Sequence, residues 1–354
     1  MSLPASMRAA VYRGRGSVRV EDVPVPEIGP GELLVRVEAC GVCPTDLKKI
    51  EQGLLPPPRI FGHETAGVVA RRGPGVTRFR EGDRVALHHH VPCGRCFYCS
   101  LSLFAQCEGY KRNGTTAGFE PAGGGFAQYV RVMDWIVERG VVPVPDGVLP
   151  EEAAFVEPVN TCLKAVERLG LREGQLALVV GQGPIGLILM QIARELGAEV
   201  VVSDVRRERL EASLALGAQA ALDGREDVPA QLRARGGGRG ADHVLLAAVG
   251  QNPFDQAVAA ARPGGRIMVF AATSPGETVT ADLGALCAAE KEILTSYSAS
   301  VDVQERAARL VFERRVRVRE LVSHRLPLEQ APRAFELAAR AEPGVLKIVV
   351  QPEG

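Results

Sequence analysis

Between residues 175 and 295 the chain alternates short apolar runs with helical stretches, and this alternation constrains the fold more than any other feature. The runs QLALVV, AEVVVSD, ADHVLLAAV, GGRIMVF and EILTS read as strands, and the helices between them begin near Pro184, Arg206, Asp227, Pro253 and Ala281. Strand and helix in alternation imply a parallel, doubly wound sheet, because parallel neighbours need a crossover connection and the crossover is usually a helix.

The flanking sequence differs in character. Upstream, GELLVRVEACGV, TAGVVARR, GDRVALHHHV and GFAQYVRV read as short strands separated by the turn signals GPG, EGD and GGG. That pattern suits a small barrel or an irregular antiparallel sheet. The tail has two amphipathic helices, VQERAARLVFER and EQAPRAFELAARA, and a closing strand, VLKIVV, expected to return to the first domain. The expected fold class is therefore α/β: a mainly-β domain of residues 1–158 and 296–354, split around a doubly wound domain of residues 159–295. A chain of 354 residues has room for two domains.

Basic and acidic residues balance at 42 each, so no global field draws the chain to nucleic acid or to an anionic membrane. Any phosphate must be held by local geometry. The nearest thing to a membrane span, LALVVGQGPIGLILMQIA, contains three glycines, a proline and two glutamines. A spanning helix needs about 20 mainly apolar residues, and this stretch reads better as strand, turn and helix. The N-terminus has no basic region followed by an apolar one, so no secretory signal is expected. The expected location is cytoplasmic. There the eight cysteines are metal ligands or buried thiols rather than disulfides.

The first strand of the alternating region runs into G-Q-G-P-I-G, Gly181 to Gly186, which opens a helix, and the next strand ends on an acid, Asp204. Alone the glycine pattern is weak; in this context it marks a dinucleotide site. Gly181 permits the tight turn, Gly183 lets the backbone approach a pyrophosphate, and Gly186 lets helix and strand pack closely. The pyrophosphate sits on the helix start at Pro184, Ile185 and Gly186, where unpaired N–H groups and the helix dipole favour an anion. Asp204 is expected to accept hydrogen bonds from the ribose hydroxyls and to repel a 2′-phosphate, which favours NAD over NADP. Arg206, just beyond, argues the other way.

Two metal-ligand patterns lie outside this region. Cys93, Cys96, Cys99 and Cys107, spaced x2, x2 and x7, fit a closed tetrahedral zinc site whose role is to order the lobe. An iron–sulfur cluster or a nucleic-acid-binding zinc ribbon would need redox-partner motifs or basic charge, and neither is present. The second set is dispersed: Cys43 in GVCPTD, His63 and Glu64 in FGHETAG, and Glu157 in FVEPVN. One thiolate, one imidazole and one or two carboxylates could hold a zinc with an exchangeable position, as a Lewis acid requires. Each residue alone has an ordinary structural explanation; the combination does not.

Cys43 with Asp46, the Gly62-His63-Glu64 triplet, the four-cysteine lobe, Glu157-Pro158, and the glycine turn with Asp204 follow the order found in zinc-dependent medium-chain dehydrogenases. The chain resembles that family over essentially its whole length. The Glu-Pro pair is most similar to the sorbitol (polyol) and L-threonine dehydrogenase branch. The resemblance implies a GroES-like catalytic domain split around a Rossmann domain, with the active site in the cleft. It implies that Cys43, His63, Glu64 and Glu157 bind a catalytic zinc, one carboxylate directly and the other directly or through water. It makes Asp46 the group that orients His63 and Thr45 the hydroxyl that takes the substrate proton. It places Lys347 near the pyrophosphate. Two zinc ions per subunit, a small alcohol or polyol substrate, and a homodimer or homotetramer follow from it. L-Threonine-type amino-alcohol oxidation and a catalytically silent protein of the same fold are the alternatives. A charge count over zinc, thiolate, imidazole and carboxylates predicts that only one of Glu64 and Glu157 binds tightly at a time.

The chain departs from the family in places. Lys48 stands where many relatives have a histidine that ends the proton relay, and an ammonium of ordinary pKa ~10.4 is a poor base at neutral pH. Pro44 donates no hydrogen bond to a phosphate. His88, His89 and His90 precede the lobe; alternation along a strand would point neighbours to opposite faces, which favours a structural role. Cys40, Cys162 and Cys287 are expected in cores, and Trp135, Phe119 and Glu120 are candidates to line the substrate cleft.

Overall fold

The computed structural model describes residues 3–113, 123–235, 237–271, 276–340 and 342–352. The chain divides into two compact units. One comprises Met1–Asn160, Ser298–Arg314 and Val318–Gly354; the other comprises Thr161–Tyr297 and Arg315–Arg317.

The second unit is a six-stranded sheet in which every pairing is parallel. Its order is Ala220–Asp223, Glu199–Asp204, Leu176–Val180, Ala241–Leu246, Ala261–Val269, Glu292–Thr295. The first strand of this unit lies in the middle, so the order reverses beside Leu176–Val180, where such sheets bind ligands. Leu178, Val180, Val244, Leu246 and Ile267 form much of one buried cluster. The strand Ala220–Asp223 has no sequence signature of its own. Its four residues, AALD, become a strand by pairing with Glu199–Asp204. Cys162 is buried as expected, whereas Cys287, on helix Leu283–Ala288, is exposed.

In the first unit, strand Leu33–Gly41 pairs antiparallel with Glu64–Arg72, with Tyr129–Val132 and with Lys347–Gln351. It is fully or largely buried along its length and lies in a seven-stranded sheet. A second sheet joins Ser6–Gly14 with Ser17–Pro24 and Arg59–Ile60. The tail strand thus lies beside the strand that leads to Cys43, which brings Glu64 and Lys347 to the same end of the sheet. A further tail strand, Val322–Pro327, pairs parallel with Lys347–Gln351; its mixed sequence, VSHRLP, gave no period-2 signal. Val35, Leu87, Phe126, Phe335 and Ile348 fill the core between these elements, with Cys40 among them. Helix Pro44–Gln52 starts with proline in its first turn and ends at Gly53 with φ 68°, the left-handed cap that glycine adopts without strain.

Candidate active site

Cys43 is the N-cap of helix Pro44–Gln52, so the thiol sits at the junction of strand and helix. Asp46, in the first turn, is completely buried and accepts a hydrogen bond from Nδ1 of His63 at 3.2 Å. This contact fixes the ring and leaves Nε2 for a cation. Burial lowers the pKa of His63, but the charges of Asp46 and Cys43 outweigh it and hold the ring well above its ordinary value. The same anionic surroundings favour a metal ion in place of the proton. Ligand atoms of Cys43, His63 and Glu64 all lie within 4.8 Å of one another.

Glu64 opposes Gly41 across the ladder. A Cβ on Gly41 would lie 2.0 Å from a Glu64 carboxylate oxygen, so glycine is required for this close approach. The carboxylate is held by Lys347, whose Nζ lies 2.6 and 2.5 Å from its two oxygens. Burial works against the Lys347 ammonium, but Glu64, Cys43 and Glu157 outweigh it and raise its pKa. The expected pyrophosphate contact of Lys347 therefore has a rival: the structure places the ammonium on a candidate zinc ligand inside the first unit.

Glu157 lies on helix Val156–Leu169, is 6% exposed, and has Oε1 3.7 Å from Nδ1 of His89. Burial pushes its pKa up to about 7. Burial and the neighbouring His90, His63, His88 and Lys49 lower the pKa of His89, so its ring is neutral. The structure groups Glu64, not Glu157, with Cys43 and His63 at ligand distance. Counting Cys43, Asp46 and Glu64 as anions, Lys347 as a cation, and His63 and Glu157 as neutral leaves two net negative charges, the complement of a divalent cation. The charge count behind the one-carboxylate expectation left Lys347 out.

Strand Arg84–Leu87 ends before the three histidines, so strand alternation does not apply to them. All three are buried, and His89 sits 5.1 Å from His63, ring centroid to centroid. Lys49 rather than Lys48 faces inward; Lys48 is half-buried, and Pro44 and Thr45 are exposed at the start of the helix. Trp135 is 40% exposed. Phe119 and Glu120 lie outside the described residues.

In the lobe, Cys93, Cys96, Cys99 and Cys107 also have their sulfurs within 4.8 Å of one another. The Cys96–Cys99 and Cys93–Cys99 separations, 3.5 and 4.0 Å, bracket the ~3.8 Å edge of a tetrahedron with ~2.3 Å zinc–sulfur bonds. The donor sets of both constellations fit zinc, one closed by four thiolates and one mixed.

The second unit supplies the glycine turn. Gly181 has φ 90°, and a Cβ on Gly186 would lie 1.8 Å from the Gly181 carbonyl oxygen. Above Gly183 a Cβ would meet only Arg209, at 3.9 Å, so the turn is open to a ligand. Pro184 occupies the first turn of helix Pro184–Glu195, followed by Ile185 and Gly186. Asp204 ends its strand, is 7% exposed, and accepts from the backbone N–H of Gln182 at 2.6 Å and of Arg206 at 2.8 Å. The acid thus also props the glycine turn. Arg209 reaches to 3.7 Å from the same carboxylate. Sequence reading passed over Arg209; a basic residue in the first turn of the helix after the acid is the signal that marks it.

Residues 29–146 match the alcohol dehydrogenase GroES-like domain, and residues 184–313 match the zinc-binding dehydrogenase domain. The chain is 30% identical to a sorbitol dehydrogenase of Bacillus subtilis (strain 168), covering 99% of both chains. It is 31% identical to an L-threonine 3-dehydrogenase of Symbiobacterium thermophilum, covering 94% of each. Its fold is similar to that of an alcohol dehydrogenase from Thermus sp. ATN1, with TM-score 0.85, 29% identity, and coverage of 98% and 99%. A Sinorhizobium meliloti 1021 structure bound to NADP shows TM-score 0.86 and 29% identity over 99% of this chain and all of that one. The chain belongs to the zinc-type medium-chain alcohol dehydrogenase family. Within that family it is of the alcohol and polyol dehydrogenase type. Among the described residues no helix is long and apolar enough to cross a membrane.

Proposed function

We propose that the protein is a zinc-dependent, NAD(H)-linked dehydrogenase of small alcohols or polyols. The observation that carries this reading is the convergence of Cys43, His63 and Glu64 at ligand distance, beside buried Asp46 and Lys347. A zinc ion held there would polarise a substrate oxygen, and a nicotinamide dinucleotide whose pyrophosphate rests on the Gly181–Gly186 turn would accept the hydride from the carbinol carbon. Cys43 supplies the anionic ligand. Asp46 keeps the His63 ring oriented. Lys347 offsets the charge of Glu64 while leaving its carboxylate beside the centre. Thr45, exposed at the helix start, takes the substrate proton toward water. The four-cysteine lobe holds a second zinc with a structural role.

Asp204 favours NAD, because a carboxylate at the end of that strand would repel a 2′-phosphate; Arg206 and Arg209 are the competing cations. The same reading takes the enzyme to be a cytoplasmic homodimer or homotetramer. Amino-alcohol oxidation is the second reading, supported by the likeness to L-threonine 3-dehydrogenase. The test is a panel of polyols, secondary alcohols and L-threonine, scored by NADH and NADPH formation with and without a chelator. Turnover of a polyol with NAD that the chelator abolishes is expected. Chelator-resistant turnover would refute the zinc role, and a strong NADP preference would refute the role of Asp204.

A further inference from the structure

The three histidines after strand Arg84–Leu87 are used neither as candidate zinc ligands nor as part of the large apolar core of their unit. Their rings instead form a buried path. Tyr110, just after the last lobe cysteine, is 3% exposed and packs with Cys99 and Cys107. Its ring stacks on His90, with centroids 3.9 Å apart and planes at 12°. His90 meets His89 edge-on, at 4.2 Å and 70°. His89 in turn lies 5.1 Å from the His63 ring and 3.7 Å from Glu157. Contiguous buried rings therefore run from two lobe cysteines to two residues of the dispersed centre.

Close-packed interiors have little free volume, so a displaced ring displaces its neighbour. Stacked and edge-to-face geometries add orientation to that packing. We propose that Tyr110 and His90 are positioning residues through which the four-cysteine lobe holds His89, and through it Glu157 and His63, in metal-binding geometry. The proposal rests on the reading of Cys43, His63, Glu64 and Glu157 as a metal centre. It gives the lobe a role in the chemistry without contact to substrate, and it gives the histidine run a reason to be buried.

The experiment replaces zinc by cobalt in the intact protein and follows cobalt release to a chelator by visible absorption. A Cys43→Ser variant identifies the part of the spectrum that belongs to the dispersed centre. Release from that centre is expected to be about tenfold or more faster in Tyr110→Leu and in His90→Leu, the scale on which outer partners of metal ligands act, and within about twofold of wild type in Tyr110→Phe, which keeps the ring. The lobe spectrum should persist in His90→Leu, which lies outside the lobe; if Tyr110→Leu fails to fold, His90→Leu carries the prediction. Unchanged release in both leucine variants would overturn the coupling and leave the metal reading intact. Release from Tyr110→Phe as fast as from Tyr110→Leu would assign the effect to the hydroxyl, 3.4 Å from Ser298 Oγ, and would also overturn the stack. A wild-type spectrum with no Cys43-dependent part would overturn both.

Discussion

The four-cysteine lobe and the Cys43 centre both bring together side chains that could hold a metal ion, by opposite means. The lobe draws its ligands from one short segment, residues 93–107, closed by its own turns, such as Ser100 N–H to Cys96 O and Ser102 N–H to Cys99 O. Its thiols differ in environment: backbone N–H groups bring Cys96 down to about 6, while burial pushes Cys99 up to about 12. The Cys43 centre takes its groups from a helix cap, a strand end, a second helix and the tail strand. Cys43 is half-buried, the other ionisable groups are buried, and two of them are answered by a neighbour: His63 by Asp46, Glu64 by Lys347. A local ligand set can assemble while the rest of the chain is unfolded. A dispersed one exists only in the folded unit, so folding and metal binding stabilise each other there.

Substitutions should separate the two regions. The largest effect is expected for Cys43→Ser, with kcat/KM lower by on the order of 10³-fold or more, since a catalytic metal contributes several kcal/mol to the transition state. Circular dichroism should show the fold retained. Cys99→Ser, which removes a lobe sulfur rather than a group of the Cys43 centre, should lower kcat/KM far less, by about tenfold, through a looser hold on His63 and Glu157. An equal loss of kcat/KM in both variants, measured where both are folded, would erase the distinction.

Next in size is Lys347→Met, which leaves the buried Glu64 carboxylate without its cation. Breaking one side of a buried ion pair costs about 3–5 kcal/mol, readable by urea unfolding. Adding Glu64→Gln to it should recover most of that loss in a double-mutant cycle. If the single change is neutral, the ion pair is not what holds the centre.

A smaller effect, about tenfold, is expected for Asp204→Ser on the ratio of kcat/KM for NAD over NADP, equivalent to about 1.4 kcal/mol. An unchanged ratio would transfer cofactor choice to Arg206 and Arg209.

The smallest is a pH effect confined to the metal-depleted protein. Burial raises Glu157 from 4.5 to about 7 in the folded state. The folded protein therefore binds a proton more tightly than the unfolded one. Its contribution to stability is full below about pH 4.5 and is lost as pH rises through about 7. Thermal midpoints measured across that window should fall with pH, and Glu157→Gln should flatten the slope. A midpoint that rises with pH in that variant-sensitive way would contradict the buried, protonated carboxyl.

Local patterns made the sheet of the second unit, the glycine turn, Asp204 and the lobe legible in the sequence. Short elements were not: AALD carries too few residues to announce a strand and forms one only beside its neighbour. The burial of all three histidines was not legible because nothing in GDRVALHHHV marks where the strand stops; it stops at Leu87. Cys43, Asp46 and His63 could be placed by motif. The partnership of Glu64 with Lys347 spans 283 residues, and no spacing rule reaches that far. It arises because the tail strand pairs beside Leu33–Gly41, a matter of sheet order rather than of local propensity.

Cys43, His63 and a buried carboxylate are proposed to form a second metal centre distinct from the lobe. Anomalous diffraction at the zinc edge tests it most directly. Two peaks per chain are expected: one among the four lobe sulfurs, and one about 2.3 Å from Cys43 Sγ and about 2.0–2.2 Å from His63 and a Glu64 or Glu157 oxygen. A single peak at the lobe, with Cys43 and His63 unliganded in zinc-replete crystals, would contradict it.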